Sequence, residues 1–226
     1  MGVSYEPLGS RALGAQIMLG VCAVLDLTTI AHRVQEISLM KQVSQLNDDT
    51  MGAFIDTIDA SDTFRLTLGI IHLVALVGSA VAFIMWFHLA YENLYPLGRF
   101  STEYSTGTAT WAWFVPFLNL WRPYRIAQET WMSSYPEWRA PGTAPGRSGF
   151  VIVWWGLWLV HGLFSRISAR MPADTAEALI KSDDFEIFAC VVSIAAALAA
   201  IAVVQTITTR QAEHWDYLGE RREDAE

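Results

Sequence analysis

The sequence predicts an all-α integral membrane protein: a single membrane domain, 1–226, of four transmembrane helices with a Pro-broken interfacial helix between spans two and three. Three observations carry this expectation. Hydrophobic residues make up 53% of the chain and charged ones 17%, against about a quarter in a soluble domain. The mean hydropathy is +0.28, and the apolar residues gather into four long runs rather than spreading periodically. The connections between the runs differ in charge. A net charge of −8 argues against a nucleic-acid partner, because phosphate binding needs a basic footprint.

The first run covers about 12–31, some 20 residues and about 30 Å of helix, which matches the hydrocarbon core. It is longer than a signal-peptide apolar region, and Asp26 interrupts it, so a retained helix is expected. Span two covers about 66–94 and carries Gly78, Ser79 and Ala80 at its middle, where small residues let helices approach. The third span, about 150–167, holds Trp154, Trp155 and Trp158 in its inner half, as an aromatic belt would. Span four, about 185–209, has an Ala-rich face suited to a tight bundle.

The segments 32–65 and 168–184 are acidic, with Glu36, Asp48, Asp49, Asp56, Asp59, Asp62, Asp174, Glu177, Asp183 and Asp184. Arg99, Arg122, Arg125, Arg139 and Arg147 lie between spans two and three, and Arg210, Arg221 and Arg222 follow span four. With Arg11, nine of the 15 Lys and Arg residues fall on one side. The positive-inside rule then makes that side cytoplasmic, with both termini, in a bacterial plasma membrane, and makes 32–65 and 168–184 extracytoplasmic. Val34, Ile37 and Val43 continue a roughly helical pattern beyond span one, and both acidic segments are expected to hold short extracytoplasmic helices, the second starting near Pro172. The Pro/Gly-rich stretch 140–149 reads as a flexible lead into span three.

The most unusual segment is 111–132, WAWFVPFLNLWRPYRIAQETWM. Its apolar part is too short to cross a bilayer of about 30 Å. Pro116 and Pro123 each remove a backbone donor. Asn119, Arg122 and Arg125 follow at spacing three, beside Trp113, Trp121 and Tyr124. Such a segment should lie in the inner interface, where an Arg is drawn to anionic lipid headgroups by about 1 kcal/mol.

These residues carry a resemblance. Asn93, Gly98, Tyr104-Ser105-x-Gly107, the run Trp113-Phe114-Val115-Pro116-x-x-Asn119-Leu120-Trp121-Arg122-Pro123-Tyr124, Glu129 and Trp131 closely resemble the bacterial membrane family called domain of unknown function 4328. The motif covers about 83–135. Two departures stand out: Thr106 replaces a usual Pro, and Leu89, Tyr91 and Glu92 stand where basic residues are usual. The resemblance implies a multi-span bacterial membrane protein and transfers no catalytic residues.

Ionisable groups at membrane depth are costly and therefore candidate sites. Counting residues from the outer ends of the spans puts Asp26, His72, His161 and Cys190 in one outer-leaflet layer, with Cys22 one turn below Asp26. Imidazole and thiolate suit transition metals and haem, so this layer could serve a haem-, metal- or quinone-binding redox protein. The plainer reading is that Asp26 pairs with a His or with Arg166 and ties the bundle together. Depth says nothing about azimuth, and no His/Glu pair at helical spacing marks a di-metal site. His88 lies about 24 Å along span two from His72, but span four offers no matching His. His32 and His214 are expected to be solvated. Cys22 and Cys190 are expected as buried hydrophobes rather than a disulfide framework.

No nucleophile–base order, phosphate loop or HExxH pattern is present. The expected function is non-catalytic: an accessory or scaffold protein without a cofactor, a subunit of a larger membrane complex, with lipid and other membrane subunits as partners. A small transporter is the third reading, weakened by the lack of an inverted repeat.

Overall fold

The computed structural model describes residues 4–43, 48–99, 101–135, 146–171 and 175–224. Pro172, Asp174, Arg139 and most of the 140–149 lead lie outside the described residues, as do the side chains of Asp48, Asp49 and Asp56. The described residues are mostly helical, and no strand occurs among them. The order is α1 (Gly9–Val43), α2 (Asp48–Glu92), α3 (Thr106–Trp111), a 3₁₀ turn (Leu118–Leu120), α4 (Arg122–Ser133), α5 (Gly149–Ser168) and α6 (Ala176–Glu223). Four of them, α1, α2, α5 and α6, are long and apolar enough to cross a membrane. The chain is a multi-pass membrane protein. Helices are the natural answer to such sequences, because in lipid each backbone N–H and C=O must be satisfied within its own segment.

The acidic segments correct the expectation of separate short helices. Residues 32–43 continue α1 without a break, α2 already begins at Asp48, and α6 begins at Ala176. The 48 residues of α6 span about 72 Å, more than twice the hydrocarbon thickness. Hydropathy marks where a helix crosses lipid, not where it stops.

Two compact units make up the chain. Unit 1 comprises Met1–Leu19, Ser79–Gly156 and Leu198–Glu226; unit 2 comprises Gly20–Gly78 and Leu157–Ala197. Unit 1 is built on rings. Phe83 packs on Trp86, Phe87, Trp113 and Trp154 with centroids 5.3–5.8 Å apart. Trp155 meets Trp113 edge-on at 5.9 Å. Each such pair adds about 0.5–1.5 kcal/mol beyond its buried area. Trp154 and Trp155 are therefore buried core residues, and not the aromatic belt that their position in span three suggested. In unit 2 the packing face of α6 is small, with Ala189, Ala196 and Ala197 buried. Small side chains bring helix backbones close and leave room for polar groups on facing helices.

Candidate functional site

The motif segment belongs to unit 1 and is held by a chain of internal bonds. At the end of α2, Arg99 N–H donates to Leu94 C=O at 2.9 Å and Gly98 N–H to Tyr95 C=O at 3.0 Å. With Gly98 at φ 86, this is a Schellman stop. It turns the chain so that the Tyr91 hydroxyl donates to Glu129 Oε2 at 2.7 Å and accepts from the Tyr104 N–H at 3.0 Å. Asn93 exchanges two bonds with the Glu6 backbone, at 2.8 and 3.1 Å. Gln128 exchanges two with the Ser148 backbone, at 2.8 and 2.9 Å.

Within 111–132 the helix breaks as the two prolines require. After α3 the chain turns, and Leu118 N–H donates to Pro116 C=O at 2.8 Å. Phe117, at φ 65 and ψ −48, sits at the centre of this γ-turn, a strained conformation for a residue with a side chain. Pro123 then lies in the first turn of α4, where its missing donor costs nothing. The polar stripe expected at spacing three is consequently divided: Asn119 lies in the 3₁₀ turn, while Arg122 and Arg125 start α4. Arg122 stacks over the Tyr104 ring at 5.0 Å, and Arg125 stands 3.8 Å from Glu103. Burial and the adjacent Glu103 carboxylate raise the Tyr104 hydroxyl pKa, and the hydrogen bond with Tyr104 raises that of Arg125. Trp155 Nε1 donates to Leu120 C=O at 3.1 Å, tying the turn to α5. On the other side the turn is bare: Phe114 is 72% exposed and Phe117 75%, with Leu120 and Trp121 also exposed.

Unit 2 holds a different kind of site. Asp26, His72, His161 and Cys190 come together around one cavity of about 380 Å³, with Thr29, Arg33, Arg65 and Glu186 also in its wall. The azimuth that depth could not give thus brings all four helices' polar groups to one place. Asp26 is 1% exposed. His72 Nε2 lies 3.5 Å from Asp26 Oδ1, and Ser193 and Cys190 stand beside the carboxyl group. Asp26 Oδ2 meets no hydrogen-bond partner among the described residues. The His161 Nδ1 is 3.3 Å from the Ala189 carbonyl, which can only accept, so Nδ1 carries a proton, and in the neutral form of the ring Nε2 is an acceptor. No three His, Cys, Asp or Glu groups among the described residues are placed to hold one metal ion.

Next to it runs a buried ion network that sequence reading missed. Arg33 is 4% exposed and pairs with Glu36, with Glu186 at 2.9 Å and with Asp183 at 3.6 Å. Glu36 also accepts from the Ser61 hydroxyl at 2.9 Å and lies 3.3 Å from His32. His32 stacks on Phe64 at 4.7 Å and is largely buried, which corrects the expectation that it is solvated. His214, in unit 1, is likewise buried. The missed signal was spacing: Arg33 with Glu36, and Asp183 with Glu186, are i,i+3 pairs on helices that continue past the apolar runs.

No curated protein and no solved structure gives a significant match to the chain. A family model does match. The domain of unknown function DUF4328 aligns with residues 52–209, taking in His72, the whole 111–132 segment, His161 and Cys190 but not Asp26, and the chain belongs to that family.

Proposed function

We propose that the protein is a non-catalytic scaffold of the bacterial plasma membrane, with both termini and the 111–132 segment on the cytoplasmic side. The observation that carries this reading is how the motif spends its residues. Trp113 is used in ring packing, Pro123 in starting α4, and Arg122 in stacking on Tyr104. None is left to converge on a reacting atom. What the segment offers outward is apolar: Phe114, Phe117, Leu120 and Trp121 on a strained, internally braced turn. Strain of this kind persists where the surrounding structure enforces it and the site uses it. An aromatic wedge next to Arg122 and Arg125 suits the headgroup layer of an anionic leaflet.

The test is depth. Single Phe114→Cys and Phe117→Cys variants, made with Cys22 and Cys190 replaced by Ala, would be spin-labelled in anionic liposomes. Accessibility to oxygen should exceed accessibility to a water-soluble nickel chelate at both sites. Preferential accessibility to the chelate would remove the wedge from the membrane and with it this reading.

A further inference from the structure

We propose that the cavity of unit 2 is a binding site for a primary ammonium group. The argument is one of donors and acceptors. The Arg33 guanidinium pairs with Glu36, Asp183 and Glu186. Asp26 Oδ2 is buried in the cavity wall without a hydrogen-bond partner among the described residues, and a buried carboxylate oxygen in that condition is costly. His161, held by Ala189 through Nδ1, stands in the same wall and in its neutral form offers Nε2 as a second acceptor. Acceptors facing one space call for a ligand that donates.

The cavity wall carries Asp26 and Glu186 beside Arg33 and Arg65, and Arg33 is drawn to Glu36, Asp183 and Glu186. A bare metal ion is disfavoured because no three ligating groups among the described residues converge. An ammonium group combines positive charge with three N–H donors and needs no fixed coordination shell. The cavity, at about 380 Å³, lies in the range of small-molecule pockets and admits a short chain behind the ammonium head. Such a head could come from a free amine or from an ethanolamine headgroup of the bilayer.

The experiment uses the full chain in two settings. In detergent it would be titrated calorimetrically with ethanolamine and with choline, which keeps the charge but lacks N–H donors. In nanodiscs containing equal phosphatidylethanolamine and phosphatidylcholine, the lipid retained on detergent extraction would be identified. Saturable ethanolamine binding, choline at least about tenfold weaker, and a loss of about 30-fold in Asp26→Asn are expected for a free amine. Selective retention of phosphatidylethanolamine, lost in Asp26→Asn, is expected for a lipid source. Choline binding as tightly as ethanolamine would overturn the proposal. So would no amine binding in either setting, or an undiminished Asp26→Asn. The choline comparison is made on the unaltered chain, so the test holds even if the variant does not fold.

Discussion

The two units handle buried polarity in opposite ways. In unit 1, polar side chains close onto backbone: Gln128 onto Ser148, Asn93 onto Glu6, and Gln211 onto Ala90 at 2.7 Å. Each bond fixes a chain segment, and the rings around Phe83 fill the remaining space. In unit 2, polar side chains face one another and a cavity. Among the described residues Asp26 Oδ2 and both oxygens of Asp183, all carboxyl atoms, lack hydrogen-bond partners, whereas in unit 1 Gln211 Oε1 is a neutral amide oxygen in that condition. The contrast separates two uses of buried polar groups. Unit 1 uses them to specify a structure, at a net gain of about 1 kcal/mol for each bond. Unit 2 holds buried carboxyl groups whose hydrogen bonds are incomplete, which weakens a fold unless something binds them.

Four substitutions sharpen or break this contrast. Arg33→Met should have the largest effect, since it strands Glu36, Asp183 and Glu186 together. A loss of about 3–5 kcal/mol is expected in denaturant unfolding of the detergent-solubilised protein. Gln211→Leu should cost about 1–3 kcal/mol by leaving the Ala90 carbonyl and the Ser134 hydroxyl of unit 1 without a donor. Asp26→Asn, also fully buried, should cost nothing or raise stability by about 1 kcal/mol, because it removes a buried carboxyl group whose hydrogen bonds are incomplete. Lys181→Ala, at the exposed Glu177 pair, should leave the unfolding midpoint unchanged. A uniform loss across the three buried sites would erase the distinction between the units.

Much of the architecture was legible because hydropathy and the bilayer set the same length. The first, third and fourth runs lie inside α1, α5 and α6, the second overruns the end of α2 by two residues, and α5 follows its run to within a residue or so at each end. Asp26, His72, His161 and Cys190, which residue counting puts at one level, line one cavity. What failed was inference from polarity to exposure. Arg33, Glu36 and Asp183 look like loop residues because they are charged, yet they are buried by one another. A charge satisfied by a distant helix leaves no local trace beyond an i,i+3 spacing. Pro116 and Pro123 foretold a broken helix, but not that the break would be a γ-turn centred on Phe117. The turn is also tied from another helix, where Trp155 donates to the Leu120 carbonyl.

The central claim is that unit 2 keeps the Asp26 charge at the expense of its own stability. The unfolding free energy of Asp26→Asn, measured in amine-free buffer beside the unaltered chain, tests it most directly. An equal or higher value is predicted. A fall of about 3 kcal/mol, as for Arg33→Met, would show that Asp26 with His72 is simply a bond that holds the helices together.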